Sequence, residues 1–171
     1  MRYLKLFISA LMVFAVLLSI ISWLMPSKIM LVRTVMVAAD RQDIQFQFAD
    51  LRNWRNWNPY FRDMPAESMV LADSNRLVWL ENDDSMKMTL DGISDNQALI
   101  KLEREGAYPM NNSMSILEID DSPGWQVEWR VTASLPWYPW ERFAAIFFDK
   151  TAGPSFEEAL ASLKAYCEKN N

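Results

Sequence analysis

Whatever chemistry this chain performs, it performs without histidine: none occurs in its 171 residues. That removes the usual general base at neutral pH, the usual zinc ligand, and the Ser-His-Asp and Cys-His nucleophile systems. Acid–base work would fall to carboxylates, lysine, tyrosine or bound water. Three carboxylate groupings have suitable spacing: Asp83-Asp84, Asp120-Asp121, and Glu103 with Glu105. Paired carboxylates can share a proton or hold a hard cation. All three sit in or beside segments that read as hairpin turns, where aspartate is favoured because its side chain bonds its own backbone. Solvated turn charge accounts for them, so no catalytic residue, metal site or cofactor is expected. Tyr108, Tyr138 and Arg130 are the remaining polar candidates, and Arg130 alternates away from Trp129 along its strand. The single cysteine, Cys167, rules out an intramolecular disulfide.

A second set of residues points to binding rather than reaction. Methionine and tryptophan are over-supplied, at 11 and 8. Methionine conforms to irregular shapes and tryptophan adds a polar N–H to a large apolar face, which suits a pocket for a flexible apolar guest. The inward-pointing candidates are Trp79, Met86, Met88, Ile100, Met114, Trp125, Trp129, Phe143 and Phe147. Taken singly, each reads as core packing. Taken together they describe either a filled core or the wall of a pocket. Two aromatic segments raise the same question. "LRNWRNWNPY", 51–60, places Trp54 and Trp57 on one short helical turn that must stop at Asn58, because Pro59 disfavours helix in the residue before it. "SLPWYPWERF", 134–143, fits a lid at the pocket mouth, a membrane contact, or a rigid lead-in to a helix.

The elements that would position these residues follow from periodicity. "KIMLVRTVMVAA", 28–39, is apolar on both faces and reads as a strand. In "DRQDIQFQFADL", 40–51, Asp40 suits an N-cap, and Ile44, Phe48 and Leu51 recur at the spacing of a buried helical stripe. Short strands separated by turns follow: 67–72, 76–81, 85–92, 97–103, 113–119 and 125–133. Met86, Met88 and Leu90 share a face, as do Ala98, Ile100 and Leu102. Trp125, Val127, Trp129, Val131 and Ala133 form the cleanest alternation. The pattern slips at Ile116–Leu117, as a bulge would make it. Pro123-Gly124 has the residues of a tight turn. Strands so connected form an antiparallel meander. Helix returns at 140–150, and Gly153-Pro154 should interrupt or kink it. A further helix at 155–169 opens with Ser155 and Glu158 in capping-box spacing and buries a stripe of Phe156, Leu160, Leu163 and Cys167.

The chain opens with twenty uncharged residues, Leu6 to Met25, with three serines and Trp23 near the far end. At the helical rise they span ~30 Å, the thickness of a bilayer's hydrocarbon core. The length of the run and the lack of an A-x-A cleavage pattern in "SWLMPSK" favour an uncleaved anchor over a signal peptide. Residues 1–26 thus read as an anchor and 27–171 as one domain. Arg2, Lys5 and the terminal amine precede the span, and Lys28 and Arg33 follow it. That small excess favours a cytoplasmic N-terminus and an extracytoplasmic (periplasmic) domain on a single-pass cell-membrane protein. Arg2 and Lys5 are the only charged side chains of the first 25 residues, so the remaining 15 basic and 22 acidic side chains leave a net −7. Phosphate backbones need clustered lysine and arginine, so nucleic acid is not an expected partner. Nothing in the sequence names a protein partner.

Four stretches stand in a recurrent order: an anchor ending in "LMPSK" at the first strand; "FADLRNWRNWNPY", with Trp, two residues, then Trp-Asn-Pro and an aromatic; "GWQVEWRV", a V-x-W strand; and "FFDKTAGPSFEEALASLKAYCEK", with Asp-Lys, Gly-Pro and Leu-x-x-Leu-Lys landmarks. Together, over residues 23–169, they resemble the START-like (SRPBCC) superfamily, and within it the polyketide cyclase/dehydrase and lipid-transport family, in a membrane-anchored form. Strands between 80 and 112 do not match that pattern residue by residue. The resemblance implies an α+β helix-grip fold of order β-α-α-β6-α. A curved antiparallel sheet of about seven strands would grip one long C-terminal helix, behind one transmembrane helix. It also implies a cavity between sheet and helix, where such proteins hold apolar or amphipathic molecules. The leading expectation is a membrane-anchored, non-catalytic domain binding a hydrophobic or lipid-like molecule. The alternatives are a cyclase or dehydratase of the same fold, and a cell-envelope interaction domain with a filled core.

Overall fold

The computed structural model describes residues 2–65, 68–73, 75–81, 84–120 and 123–170. Asp83 and Asp121, one from each acidic doublet, and Glu67, at the head of the second predicted strand, lie outside them.

The first helix, α1 (Arg2–Leu24), leads through Pro26 into strand β1 (Lys28–Val37). There follow α2 (Arg41–Ala49), a 3-10 turn at Leu51–Asn53, and two one-turn helices, α3 (Trp54–Trp57) and α4 (Pro59–Arg62). Six strands come next: β2 (Met69–Asp73), β3 (Arg76–Glu81), β4 (Asp84–Ser94), β5 (Gln97–Arg104), β6 (Met110–Glu118) and β7 (Trp125–Ser134). The last helix is α5 (Pro139–Lys169). All seven strands form one antiparallel sheet in the order β1-β7-β6-β5-β4-β3-β2. This is the helix-grip α+β architecture that the sequence implied.

The first strand pairs with the last along its whole length, from Lys28 opposite Ser134 to Val37 opposite Trp125. Gly124 makes that junction possible. Its φ is +124°, and a Cβ there would stand 2.6 Å from the Val37 carbonyl oxygen. The alternation in β4, β5 and β7 buries Met86, Met88, Leu90, Ala98, Ile100, Val127, Trp129, Val131 and Ala133 on one face of the sheet. The α2 stripe of Ile44 and Phe48, with Leu51 beyond it, closes over that face, as do Ala159, Leu160, Leu163 and Cys167 of α5.

Several local expectations needed correction. There is no bulge at Ile116–Leu117: both pair in register with β7, and Leu117 simply points outward. The bulges lie between Leu90 and Gly92 and between Leu71 and Asp73, where the strands bend. β6 begins three residues earlier than expected, because Asn111 and Asn112 find partners on both neighbouring strands. Asp40 holds the N-cap position of α2, but its side chain makes no capping bond; its carbonyl accepts from Ile44 N instead.

The largest correction concerns α5, which runs unbroken through Gly153-Pro154. Proline removes one helical hydrogen bond there, and a link to the sheet spans the weak point. Arg33 of β1 bonds Asp149 Oδ1 at 2.8 Å through Nη2 and Glu157 Oε1 at 2.6 Å through Nε, one carboxylate on each side of the Gly-Pro pair. Ser155 and Glu158 consequently lie inside a helix and have no N-terminus to cap.

α1 stands away from the domain, with most of its apolar side chains exposed, and meets α5 at its C-terminal end. Among the described residues it is the one helix long and apolar enough to cross a membrane, over Tyr3–Leu24.

Candidate functional site

The site starts from the end of α2. A helix leaves its last four carbonyls without intrahelical donors, and here the following segment supplies three of them. Asn53 Nδ2 donates to Phe46 O at 2.8 Å, Trp57 Nε1 to Gln47 O at 3.0 Å, and Trp54 Nε1 to Phe48 O at 3.2 Å. Asn53, Trp54 and Trp57 together therefore form a side-chain cap, which fixes both indoles. Trp57 is fully buried. Trp54 packs against Trp57 at 5.0 Å between ring centroids and edge-on against Trp129 of β7 at 5.4 Å. Trp129 in turn stands edge-on to Phe156 of α5 at 4.7 Å and donates its N–H to Asn112 Oδ1 at 3.2 Å.

Asn58 and Pro59 do not send the chain directly to the sheet. Asn58 caps one more helical turn, accepting from Tyr60 N at 3.1 Å, with Pro59 in the first helical position. That turn aims Tyr60 and Phe61 at the sheet. Phe61 packs edge-on to Trp79 of β3 at 5.3 Å, and Trp79 Nε1 donates to Tyr60 Oη at 2.9 Å.

Between these aromatic groups lies a cavity of about 250 Å³. Its wall is apolar where it runs deep: Trp54 and Phe61 from the short helices, Trp79, Met86, Met88, Leu102 and Trp129 from the sheet, Phe156 and Ala159 from α5. Polar groups come from Asn58, Tyr60, Glu81, Asn112 and Ser155. Four of them, Asn58, Tyr60, Glu81 and Ser155, also line an adjoining outer hollow of about 550 Å³, to which Asp63 and Glu158 add carboxylates. The inner space is thus an apolar chamber with a polar, acidic mouth. Burial pushes the Tyr60 phenol up to about 12, so it stays protonated near neutral pH. There its oxygen accepts the Trp79 N–H.

Of the nine pocket candidates, the structure places Trp79, Met86, Met88 and Trp129 on the cavity wall. Ile100 and Met114 are buried in the core, on the strands against which α2 packs. Trp125 lies at the start of β7, half-buried, with the Arg41 guanidinium 5.9 Å from its ring centroid. Phe143 is half-buried and Phe147 is 61% exposed, both on the first turns of α5, well before its cavity residues. Alternation identified the inward face, Leu102 included, but missed Trp54, Asn58, Tyr60, Phe61, Glu81, Asn112, Ser155, Phe156 and Ala159. The Asn-Pro pair was the available signal for the extra turn carrying Tyr60 and Phe61.

The polar candidates lie elsewhere. Glu103 bridges Lys101 and Lys87, at 2.7 and 2.9 Å, which lowers its carboxyl to about 2. Asp84 pairs with Arg104, Arg130 with Glu128, and Tyr108, Glu105 and Asp120 face solvent. Among the described residues no group of three or more acidic or cysteine side chains gathers into a metal-binding arrangement. Trp137, Tyr138 and Trp140 contribute nothing to the cavity wall.

No family model matches the chain, and no curated protein does. Solved structures do. A START superfamily protein from Mycobacterium smegmatis superposes with a TM-score of 0.54 at 18% identity, over 84% of this chain and 99% of that one. The di-domain ARO/CYC StfQ of the steffimycin biosynthetic pathway gives 0.61 at 11% identity, over 84% of this chain and 51% of that one. A Staphylococcus aureus protein of unknown function, SA2116, gives 0.62 at 9% identity, over 84% and 95%. At such identities the likeness shows the fold, which is START-like.

Proposed function

We propose that this chain is a membrane-anchored binding domain. It holds a hydrophobic or lipid-like small molecule between the sheet and α5 and carries out no catalysis. The observation that carries this reading is the apolar chamber itself, set between sheet and helix, with four of its five polar residues shared with the outer hollow. A ligand with an apolar body and a polar end fits that distribution. Asp63, Glu81 and Glu158 at the mouth favour a neutral or cationic end over a carboxylate or phosphate. Solvent extraction of the purified full chain, followed by mass spectrometry, tests the reading: a bound apolar molecule supports it, and a clean extract counts against it.

Retention of α1 is supported by Arg142. This buried guanidinium donates to the Ser22 and Met25 carbonyls at the end of α1, and to Pro136 O. Cleavage before the first strand would strip a buried cation of two of its acceptors, which is costly. The charges flanking α1 favour a cytoplasmic N-terminus and an extracytoplasmic domain.

A second reading, a cyclase or dehydratase, draws on one observation: a phenol and a carboxylate, Tyr60 and Glu81, stand together at the mouth. It requires turnover that Tyr60→Phe abolishes. The Tyr60 phenol, held protonated by burial, would act there as an acid or hydrogen-bond donor.

A further inference from the structure

Eight tryptophans are spread along the chain, and five of them, Trp54, Trp57, Trp79, Trp125 and Trp129, are buried or half-buried in the domain. The other three, Trp23, Trp137 and Trp140, are 82%, 67% and 65% exposed, and all three lie at the junction of α1 with α5. Tyr138 stacks on Trp140, rings parallel to within 3° at 5.1 Å, and packs against Trp137 at 5.0 Å. Along α5 the exposed apolar surface continues through Ile146 and Phe147, with half-buried Phe143 between; Trp140, Phe143 and Phe147 fall at i, i+3 and i+7 on one helical face. The exposed face turns polar from Asp149 onward. Exposed apolar residues on the sheet, such as Met30, Ile93 and Leu99, are single and dispersed by comparison.

The junction is also braced. Ser22, buried near the end of α1, donates its hydroxyl to Trp137 O at 3.0 Å. Arg142, on the second turn of α5, donates to Ser22 O, and to Met25 O at 3.0 Å. These bonds hold the aromatic segment at the level where α1 ends, and where a spanning helix would leave the hydrocarbon.

We infer that this segment and the exposed face of the first three turns of α5 lie in the headgroup layer of the bilayer. The domain would then be docked on the membrane surface and not held on a free tether. The inference rests on the membrane-anchored reading above. Indole and phenol rings favour the headgroup level because one part is apolar and one can hydrogen-bond. A helix with an apolar stripe and polar flanks settles there too. Continuity with the end of α1 selects the bilayer over a second copy of the chain as the occupant of this face.

Spin-label accessibility in the full chain, reconstituted in phosphatidylcholine vesicles, tests this. Labels are placed one at a time at Val13→Cys in α1, Trp140→Cys, Phe147→Cys and, as a water reference, Glu105→Cys, after confirming that buried Cys167 of the parent protein takes no label. Collisions with oxygen should dominate over those with a water-soluble nickel chelate at 13, the reverse should hold at 105, and the ratio at 140 and 147 should fall between the two. Water-like behaviour at 140 and 147 with lipid-like behaviour at 13 overturns docking while leaving the anchor intact. Low access to both reagents at 140 and 147 marks a protein contact and also overturns it. Water-like behaviour at 13 overturns the anchor, and docking with it.

Discussion

Trp79 on β3 donates its indole N–H to the phenol oxygen of Tyr60 on α4 at 2.9 Å, and both rings line the same cavity. That bond ties a one-turn helix to the sheet and forms part of the wall at the mouth. Tyr60→Phe keeps the ring and removes the acceptor. Leaving the indole N–H without its partner should cost about 1 kcal/mol, at the low end for an unpaired polar group because the mouth is partly wet. A chemical denaturation curve should show that loss, together with weaker ligand retention. Unchanged stability would mean that the bond is idle.

Trp57 is a structural residue: fully buried, and capping Gln47 O. Trp57→Ala should destabilise by ~3–5 kcal/mol, as large aromatic truncations in cores do. Trp57→Phe should lose far less. Normal thermal stability of the alanine variant, with ligand lost, would make this residue part of the binding site instead.

Gly153 and Arg33 should be coupled. A Cβ at 153 would crowd Arg33 Nη2, so an alanine should displace the guanidinium and disturb its bonds to Asp149 and Glu157. In an Arg33→Ala background, Gly153→Ala should instead gain the ~1 kcal/mol of helix propensity that alanine has over glycine. A double-mutant cycle checks this; equal effects in both backgrounds would show that Arg33 and Gly153 are not coupled.

Stability should fall at both ends of the pH scale, for different groups. Glu103 is held at about 2, against an ordinary 4.5, by its hydrogen bonds to Lys101 and Lys87. A depressed carboxyl contributes fully above 4.5, and the contribution disappears as pH falls toward 2. Burial raises the Cys167 thiol from 9 to about 11 and the Tyr60 phenol from 10 to about 12. Their contributions are complete below 9 and 10, and are lost as pH rises through 11 and 12. Denaturant midpoints across pH should follow this profile, and Glu103→Gln should flatten its acid limb.

Strand periodicity made most of the sheet legible, because alternation is a local property: β7 reads directly from Trp125, Val127, Trp129, Val131 and Ala133. The continuity of α5 was not legible, since Gly153-Pro154 is a local helix-breaking signal and the Arg33 link across it comes from more than a hundred residues earlier. The site was half legible for a related reason. Alternation tells which face a residue occupies but not what covers it. Met88 and Trp129 open on the cavity, whereas Ile100 and Met114, on the same face, lie in the core where α2 covers β5 and β6. The contribution of α4 hinged on Asn58 and Pro59, which end one helical turn and begin the next.

Native mass spectrometry of the full chain released from membranes, wild type beside Ala159→Phe, tests the central claim most directly. Ala159 is 4% exposed and lines the chamber, so a benzyl group there would project into it and narrow it. The account predicts a small apolar adduct on the wild type and none on the variant, with both chains folded. A wild type free of adduct, or an adduct held equally by the narrowed variant, would contradict it.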